Sequence, residues 1–321
     1  MLTTSCTVDL NCSLNGLCVS GACVCDPGWR GPTCTVLDLK PAKRANGYHI
    51  PGTSSWGGSV IKSGGIYHMF VEELVNGCCL NAYVRNMRFA HAVSKSADGP
   101  YKSVNLVTNY SSSTPHALRD HNGDWLVFGT GCGRQLCPTV TECAAGVTAS
   151  NATLYPGHCE LRDECRVDWG SNAWRSKSPD GPWELISPIL DLEHPKMAHA
   201  DGTPVVFANP TVTLLPNGSA TLLYRDYLSK AKFPATNVIG LARSHTGWRG
   251  PYTEFETRLT PGHAYAEDPF IYRDKRGNWH MLAHSLCDAW PNCPAVGGHA
   301  CSEDGITWTY TSAAVYSFSQ L

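Results

Sequence analysis

Glu267 and Asp268 stand side by side immediately before Pro269. Two carboxyls sharing one pocket repel each other as anions, so one keeps its proton to higher pH, and such a pair can work as acid and base. An Asp before proline also has a plainer use, capping a turn. A third carboxyl, Asp226, lies in Tyr224-Arg225-Asp226-Tyr227, and Glu72 and Glu73 hold a corresponding place in an earlier segment. Trp56 and Trp290 fall outside the regular tryptophan pattern and offer flat apolar faces for stacking. Asn209, Arg225, His116 and His284 supply groups that bond hydroxyls, and His299 lies at a related position. The 13 histidines show no compact ligand spacing, so neither a metal nor another cofactor is expected. Asp120, His121 and His194 suggest a Ser–His–Asp arrangement by composition only, because no Gly-x-Ser-x-Gly turn exists.

The elements that must position these groups are strands. Short β-rich runs such as Ile66–Val71, Trp125–Phe128, Ala220–Tyr224 and Trp279–Leu282 recur between glycine, proline and asparagine turns, and a 3.6-residue apolar period is hard to find. The runs form an internal repeat. Its first half is a strand, a glycine turn and a second strand: Trp56 to Phe70, Pro115 to Phe128, Pro210 to Tyr224 and Pro269 to Leu282. In the last three copies the proline precedes the turn glycine by eight positions, and that count puts Gly57 in the proline slot of the first copy. Its second half is a small-residue strand with a serine, a tight turn and an aromatic: Ser94…Gly99-Pro100-Tyr101, Ser176…Gly181-Pro182-Trp183, Ser244…Gly250-Pro251-Tyr252 and Ser302…Gly305…Trp308. Four strands per copy, repeated radially, is a β-propeller blade. Trp125, Trp183, Trp279 and Trp308 are expected in the blade core.

Six cysteines fall at C-x5-C-x5-C-x4-C-x-C-x8-C over Cys6–Cys34. A segment of about thirty residues cannot bury enough apolar surface to fold unaided, so it needs covalent staples. A zinc cluster is the alternative, but it wants paired C-x2-C ligands. Spacing alone leaves fifteen disulfide connectivities open. Ten further cysteines, from Cys78 to Cys301, are expected to pair among themselves, leaving no free thiol. Sequons at Asn11, Asn109, Asn151 and Asn217 agree with secretion. No export signal precedes Cys6, which is read as a trimmed chain.

The cysteine run, with Gly28 and Gly31 ahead of Cys34, resembles an EGF-like module. That resemblance implies the pairs Cys6–Cys18, Cys12–Cys23 and Cys25–Cys34. Without an acidic run before Cys6, no calcium is expected there. The domains are read as 1–35, the module; 36–47, a polar linker; and 48–321, the propeller.

The repeated x-Pro, with Glu267-Asp268-Pro269 in the fourth copy, and the Ser…Gly-Pro-aromatic pairs resemble the five-bladed propellers of the arabinanase, levansucrase and invertase type, including glycoside hydrolase family 43. The fold class is therefore all-β. Four blades are visible and eleven residues follow Tyr310, so the last blade is expected to be missing; a four-bladed ring is the alternative. The resembled enzymes place an Asp base in the first blade, a tuning Asp in a middle one and a Glu acid in a later one. Glu267 matches the Glu, whereas the corresponding slots here hold Trp56 and Asn209. The resemblance implies a secreted glycosidase using Glu267, Asp268 and Asp226, with Trp56, His116, Asn209, Arg225, His284 and Trp290 binding carbohydrate. A non-catalytic carbohydrate-binding or adhesion protein is the other reading. The insertion Cys132–Cys165 is expected to wall one face.

The net charge of −2, with both signs mixed, supplies no basic field for nucleic acid. No apolar run approaches the roughly 20 residues needed to span a bilayer.

Overall fold

The computed structural model describes residues 5–41, 43, 45–78, 86–109, 112–131, 170–186, 208–227, 237–255, 259, 266–285, 297–311 and 315–316; of Gly170, Asp226, Tyr227, Asn237 and Ser285 only the backbone is described. Among these residues the fold is all-β: an N-terminal disulfide-rich module, then four four-stranded sheets arranged as propeller blades. No helix is long and apolar enough to cross a membrane among the described residues.

The module holds one turn of 3₁₀ helix (Asp9–Cys12), a hairpin of β1 (Gly16–Val19) and β2 (Ala22–Cys25), and a short pair of β3 (Trp29–Arg30) and β4 (Val36–Leu37). Its disulfides are Cys6–Cys18, Cys12–Cys23 and Cys25–Cys34, as the resemblance implies. Cys6, Cys12 and Cys34 are buried and stand in for a core, with Trp29 packed against them.

Blade 1 comprises β5 (Ser54–Ser63), β6 (Ile66–Leu74), β7 (Met87–Ser94) and β8 (Lys102–Thr108). Blade 2 comprises β9 (Ser112–Arg119), β10 (Trp125–Gly131), β11 (Gly170–Ser176) and β12 (Glu184–Ile186). Blade 3 comprises β13 (Ala208–Leu214), β14 (Ala220–Tyr227), β15 (Asn237–Ser244) and β16 (Thr253–Phe255). Blade 4 comprises β17 (Ala266–Arg273), β18 (Trp279–Ser285), β19 (Gly297–Ser302) and β20 (Thr309–Thr311). Among the described residues the fold is thus a four-bladed propeller, with the four blades visible in the sequence and not the five of the resembled family.

The repeated serine has a local cause. Ser94, Ser176 and Ser244 each end a third strand, and each Oγ accepts the N–H two residues on. Ser302 Oγ accepts the N–H three residues on, that of Gly305. This side-chain turn closes the strand before the outer one begins. Tyr101 and Tyr252, the aromatics after the turn, donate back to Ala97 O and Trp248 O at 2.8 Å.

Blades pack face to face, and side chains alternate between the two joints each blade makes. Val127 joins Phe70, Phe89 and Trp174 in the joint of blades 1 and 2. Leu126 and Phe128, one residue out of phase, join Leu222 and Tyr224 in the joint of blades 2 and 3. Leu223 then faces Ile271, Trp279 and Met281 of blade 4. Strands buried on both faces read as continuous apolar runs, which is why the second strands were the clearest signal in the sequence.

One cysteine expectation is corrected. Cys301 is a free, buried thiol, facing the same side of β19 as His299 two residues earlier. Burial pushes that thiol up to about 12. Cys78 is disulfide-bonded, and the other eight cysteines after the module lie outside the described residues, as does the whole Cys132–Cys165 insertion.

Candidate functional site at the propeller axis

Every inner strand carries a bulge at the same register. The pairing skips between Trp56 and Ser59, between Ser113 and His116, between Ala208 and Thr211, and between Glu267 and Phe270. Inside each bulge one residue takes a left-handed conformation: Gly57 (φ 56°), Thr114 (57°), Asn209 (54°) and Asp268 (50°). The next residue is Gly58, Pro115, Pro210 or Pro269. A bulge re-aims side chains locally, and here it turns four equivalent residues toward one place. Gly57, Gly58, Thr114, Pro115, His116, Asn209, Pro210, Asp268, Pro269 and Phe270 line a single pocket where the four inner strands meet.

This geometry corrects the first-blade assignment. The slot equivalent to Asp268 is Gly57, not Trp56, and Trp56 is the counterpart of Glu267. Counting back from the turn glycine fails by one because the β5–β6 hairpin turns on two residues, Gly64-Gly65, where the other blades use five.

Asp268 is the carboxyl at the axis. The Asn209 amide donates to its Oδ1, so blades 3 and 4 meet there. Burial pushes Asp268 above the usual carboxylate range; the Asn209 amide, the charges of Arg225 and His284, and the Trp56 indole donor pull the other way. Trp56 and Asp268 bring blades 1 and 4 together at the axis. Trp56 remains 39 % exposed, leaving an aromatic face open beside the pocket.

Glu267, expected as the acid, is not among the residues that line this pocket. It forms an ion pair with Arg225 of the neighbouring blade, both side chains being about one-sixth exposed, and the pair engages it as a carboxylate. His284 lies opposite Glu267 in the β17–β18 ladder. Asp226 pairs with Val238 in the β14–β15 ladder, and its side chain is outside the described atoms. Trp290 lies outside the described residues.

His116 lines the pocket but works mainly as a brace. Its Nε2–H donates to Val212 O at 2.9 Å, and Nδ1 is 3.2 Å from Thr211 Oγ1, which accepts the Ile271 N–H. One imidazole thereby ties blade 2 to blade 3, and through Thr211 to blade 4. Burial lowers its pKa to about 4, opposed by the bond to Val212 O. His299 is not axial; it lies on the face of blade 4 with burial and the neighbouring His280 pushing it down to about 3.

Glu72 matters more than its place in the sequence suggested. It is opposite Trp56 in the β5–β6 ladder, fully buried, and accepts the Thr114 N–H at Oε2. Its Oε1 is buried with no hydrogen-bond partner among the described residues. Burial raises it to about 7, the Thr114 and Ser113 donors oppose, and the charge of Asp268 adds to the rise. The signal available in the sequence was two acids, Glu72 and Glu73, closing an apolar strand that needs both faces buried. Thr130 is its counterpart in blade 2 and accepts the Asn209 N–H at 2.6 Å.

Residues 6–37 match the family of Teneurin-like EGF domains. No curated protein matches the chain in sequence. Among solved structures, a family 117 glycoside hydrolase from the marine bacterium Zobellia galactanivorans is similar at 15 % identity and TM-score 0.55, over 83 % of this chain and 71 % of that one. A thermostable family-43 glycoside hydrolase is similar at 14 % identity and TM-score 0.52, over 81 % and 73 %. An exo-1,5-α-L-arabinanase from a bovine ruminal metagenomic library is similar at 11 % identity and TM-score 0.51, over 86 % and 84 %. At these identities the likeness establishes the propeller fold that such hydrolases use, and nothing finer.

Proposed function

We propose that this chain is a secreted glycoside hydrolase that acts on a polysaccharide or glycan through carboxylate chemistry in the axial pocket. The observation that carries the reading is Asp268: a carboxyl with raised proton affinity at the meeting point of four inner strands. Acid–base hydrolysis of a glycosidic bond needs one protonated and one ionised carboxyl near the bond. In this reading Asp268 meets the sugar as the proton-holding group. Glu267, held by Arg225, is the ionised partner, and Asp226 is retained from the sequence as a further candidate. Trp56 stacks on the sugar ring, while Asn209, Arg225 and His284 bond its hydroxyls. The three module disulfides support the secreted part of this reading, because such bonds persist in oxidising environments.

A second reading, a non-catalytic carbohydrate-binding or adhesion protein, is favoured by the Arg225–Glu267 pair and by Gly57, Thr114 and Asn209, which leave three of the four axial slots without acids.

A screen of the whole chain against diverse oligosaccharides separates the two. Under the hydrolase reading at least one is cleaved, Asp268→Asn lowers that rate at least a hundredfold, and binding measured by tryptophan fluorescence survives. Binding without cleavage of anything transfers the case to the second reading. Cleavage unaffected by Asp268→Asn overturns the site.

A further inference from the structure

In the first three blades the face carrying the even-numbered side chains of the second strand, or its equivalent, is covered by the next blade. In blade 1 that face presents His68 and His91, with His68 Nδ1 3.0 Å from His91 Nε2, and the Trp125 indole of blade 2 lies on His68 at 4.9 Å and 58°. Register makes His280 and His299 their counterparts in blade 4: Phe70 and Leu282 hold the same place, with His91 and His299 opposite them. The pair repeats, with His280 Nδ1 3.1 Å from His299 Nε2. Blade 4 has no following blade among the described residues, yet His299 is wholly buried and His280 and Cys301 are each 1 % exposed. What covers them is the N-terminal module. Trp29 lies on His299 with ring centroids 5.0 Å apart at 51°.

Polar contacts fasten the same joint. Arg276, in the β17–β18 turn, donates to Leu14 O at 2.5 Å and pairs with Asp26 at 2.6 Å. Leu37 N–H donates to Val315 O at 3.0 Å, while Val315 and Tyr316 bond the backbone of Gly297 at the start of β19. Val315 is wholly buried. A cleft of about 440 Å³ remains between module and blade, lined by Asp26, Trp29, Tyr272, Asp274 and His280 among others, so the module covers the face without filling the space as a blade would.

We infer that the EGF-like module is the closing piece of this propeller, an intramolecular partner for the outer face of blade 4 and not a separately moving appendage. The physical reason is mutual. A module of this size has little core of its own, and a sheet face bearing two imidazoles and a thiol that are held out of water must be covered by something. Because blade 4 carries Asp268, the module also backs the blade that supplies the axial pocket's carboxyl.

Cys301 is the reporter. In the whole chain, alkylation followed by peptide mapping reads the exposure of this one thiol under native conditions. Trp29→Ala and, separately, Arg276→Ala are expected to speed Cys301 labelling at least tenfold and to increase hydrogen exchange in β18 and β19, with β10 and β14 unchanged. Arg276 lies outside the module, so its variant leaves the disulfide fold untouched even if Trp29→Ala disturbs it. Unchanged Cys301 labelling and unchanged β18–β19 exchange in both variants would overturn the inference. A uniform rise in every blade would also overturn it, since global loosening is not release of one face. Neither readout depends on any sugar being bound or cleaved.

Discussion

The backbone N–H of Thr114 donates to Glu72 Oε2 across 3.0 Å. The second strand of blade 1 is thereby stapled to the axial residue of blade 2 through a carboxyl with no exposure to solvent. The same bond recurs from Asn209 to Thr130, so the position is a joint between blades that blade 1 happens to make with an ionisable group.

That ionisable joint has a pH signature. Glu72 is raised to about 7 from an ordinary 4.5, so the folded chain holds a proton there that the unfolded chain releases. Its contribution is fully present below about pH 4.5 and is lost as pH rises through 7, a swing of about 3 kcal/mol. Glu72→Gln keeps an oxygen for the Thr114 N–H and cannot ionise. Urea unfolding at pH 5 and pH 8 should show a smaller loss of stability for Glu72→Gln than for the native chain; equal losses would refute the assignment.

The Arg225–Glu267 pair should be worth more intact than half-made. Arg225→Met leaves a mostly buried carboxylate without its cation and should cost about 2 kcal/mol, less than a fully buried pair because both groups keep some water. Arg225→Met combined with Glu267→Gln should recover most of that loss. A double-mutant cycle by denaturant unfolding gives the coupling directly, and a coupling near zero would show the pair to be incidental.

His116 predicts acid sensitivity of the opposite sign to Glu72. Its pKa is lowered to about 4 by burial. As pH falls through the ordinary value of 6.5 the unfolded chain takes up a proton that the folded chain refuses, and stability is lost until about pH 4. The cost reaches about 2 kcal/mol by pH 5. The groups in contact with it are Thr211, Val212 O, Phe128 and Phe270, none of them charged, and Asp268, which lines the same pocket, is itself raised above the usual carboxylate range. Replacement with Gln should flatten the acid limb of the stability profile at some cost near neutrality, and a limb unchanged in slope would assign it to other groups.

The axial slot should accept an acid in blade 1. Gly57 has φ 56°, and an added Cβ would meet its nearest neighbours at 3.8 Å, an ordinary contact. Thr114, Asn209 and Asp268 already hold this conformation as non-glycine residues. Gly57→Asp is therefore expected to cost only about 1 kcal/mol, the backbone penalty, while placing a carboxyl across the pocket from Asp268. Thermal unfolding measures the first effect. A rise in the pH at which Asp268 titrates, followed by carboxyl NMR, measures the second; a collapse of stability would show the slot to be closed to side chains.

The sequence by itself determined the parts whose cause is local. Cysteine spacing marked the module, because a thirty-residue segment needs staples; spacing left fifteen pairings open, and the EGF-like resemblance implied the one that formed. A recurrent Ser, with a Gly-Pro-aromatic turn in the first three copies and a Gly turn before Trp308 in the fourth, marked the four blades, because a hydroxyl reaching an N–H two or three residues on is a contact between neighbours in the chain. Tertiary structure decided what depends on register and on distant surfaces. A two-residue hairpin in blade 1 moved the axial slot from Trp56 to Gly57. Packing between blades buried Glu72, turned Glu267 toward Arg225 and left Asp268 at the axis. Coverage by a module some 270 residues away in the chain buried His299, which its repeat position grouped with the candidate site residues, and Cys301, which the even cysteine count assigned to a disulfide. Those outcomes are sums over contacts between residues far apart in sequence, and a repeat read along the chain cannot say which face of its last copy will be covered, or by what.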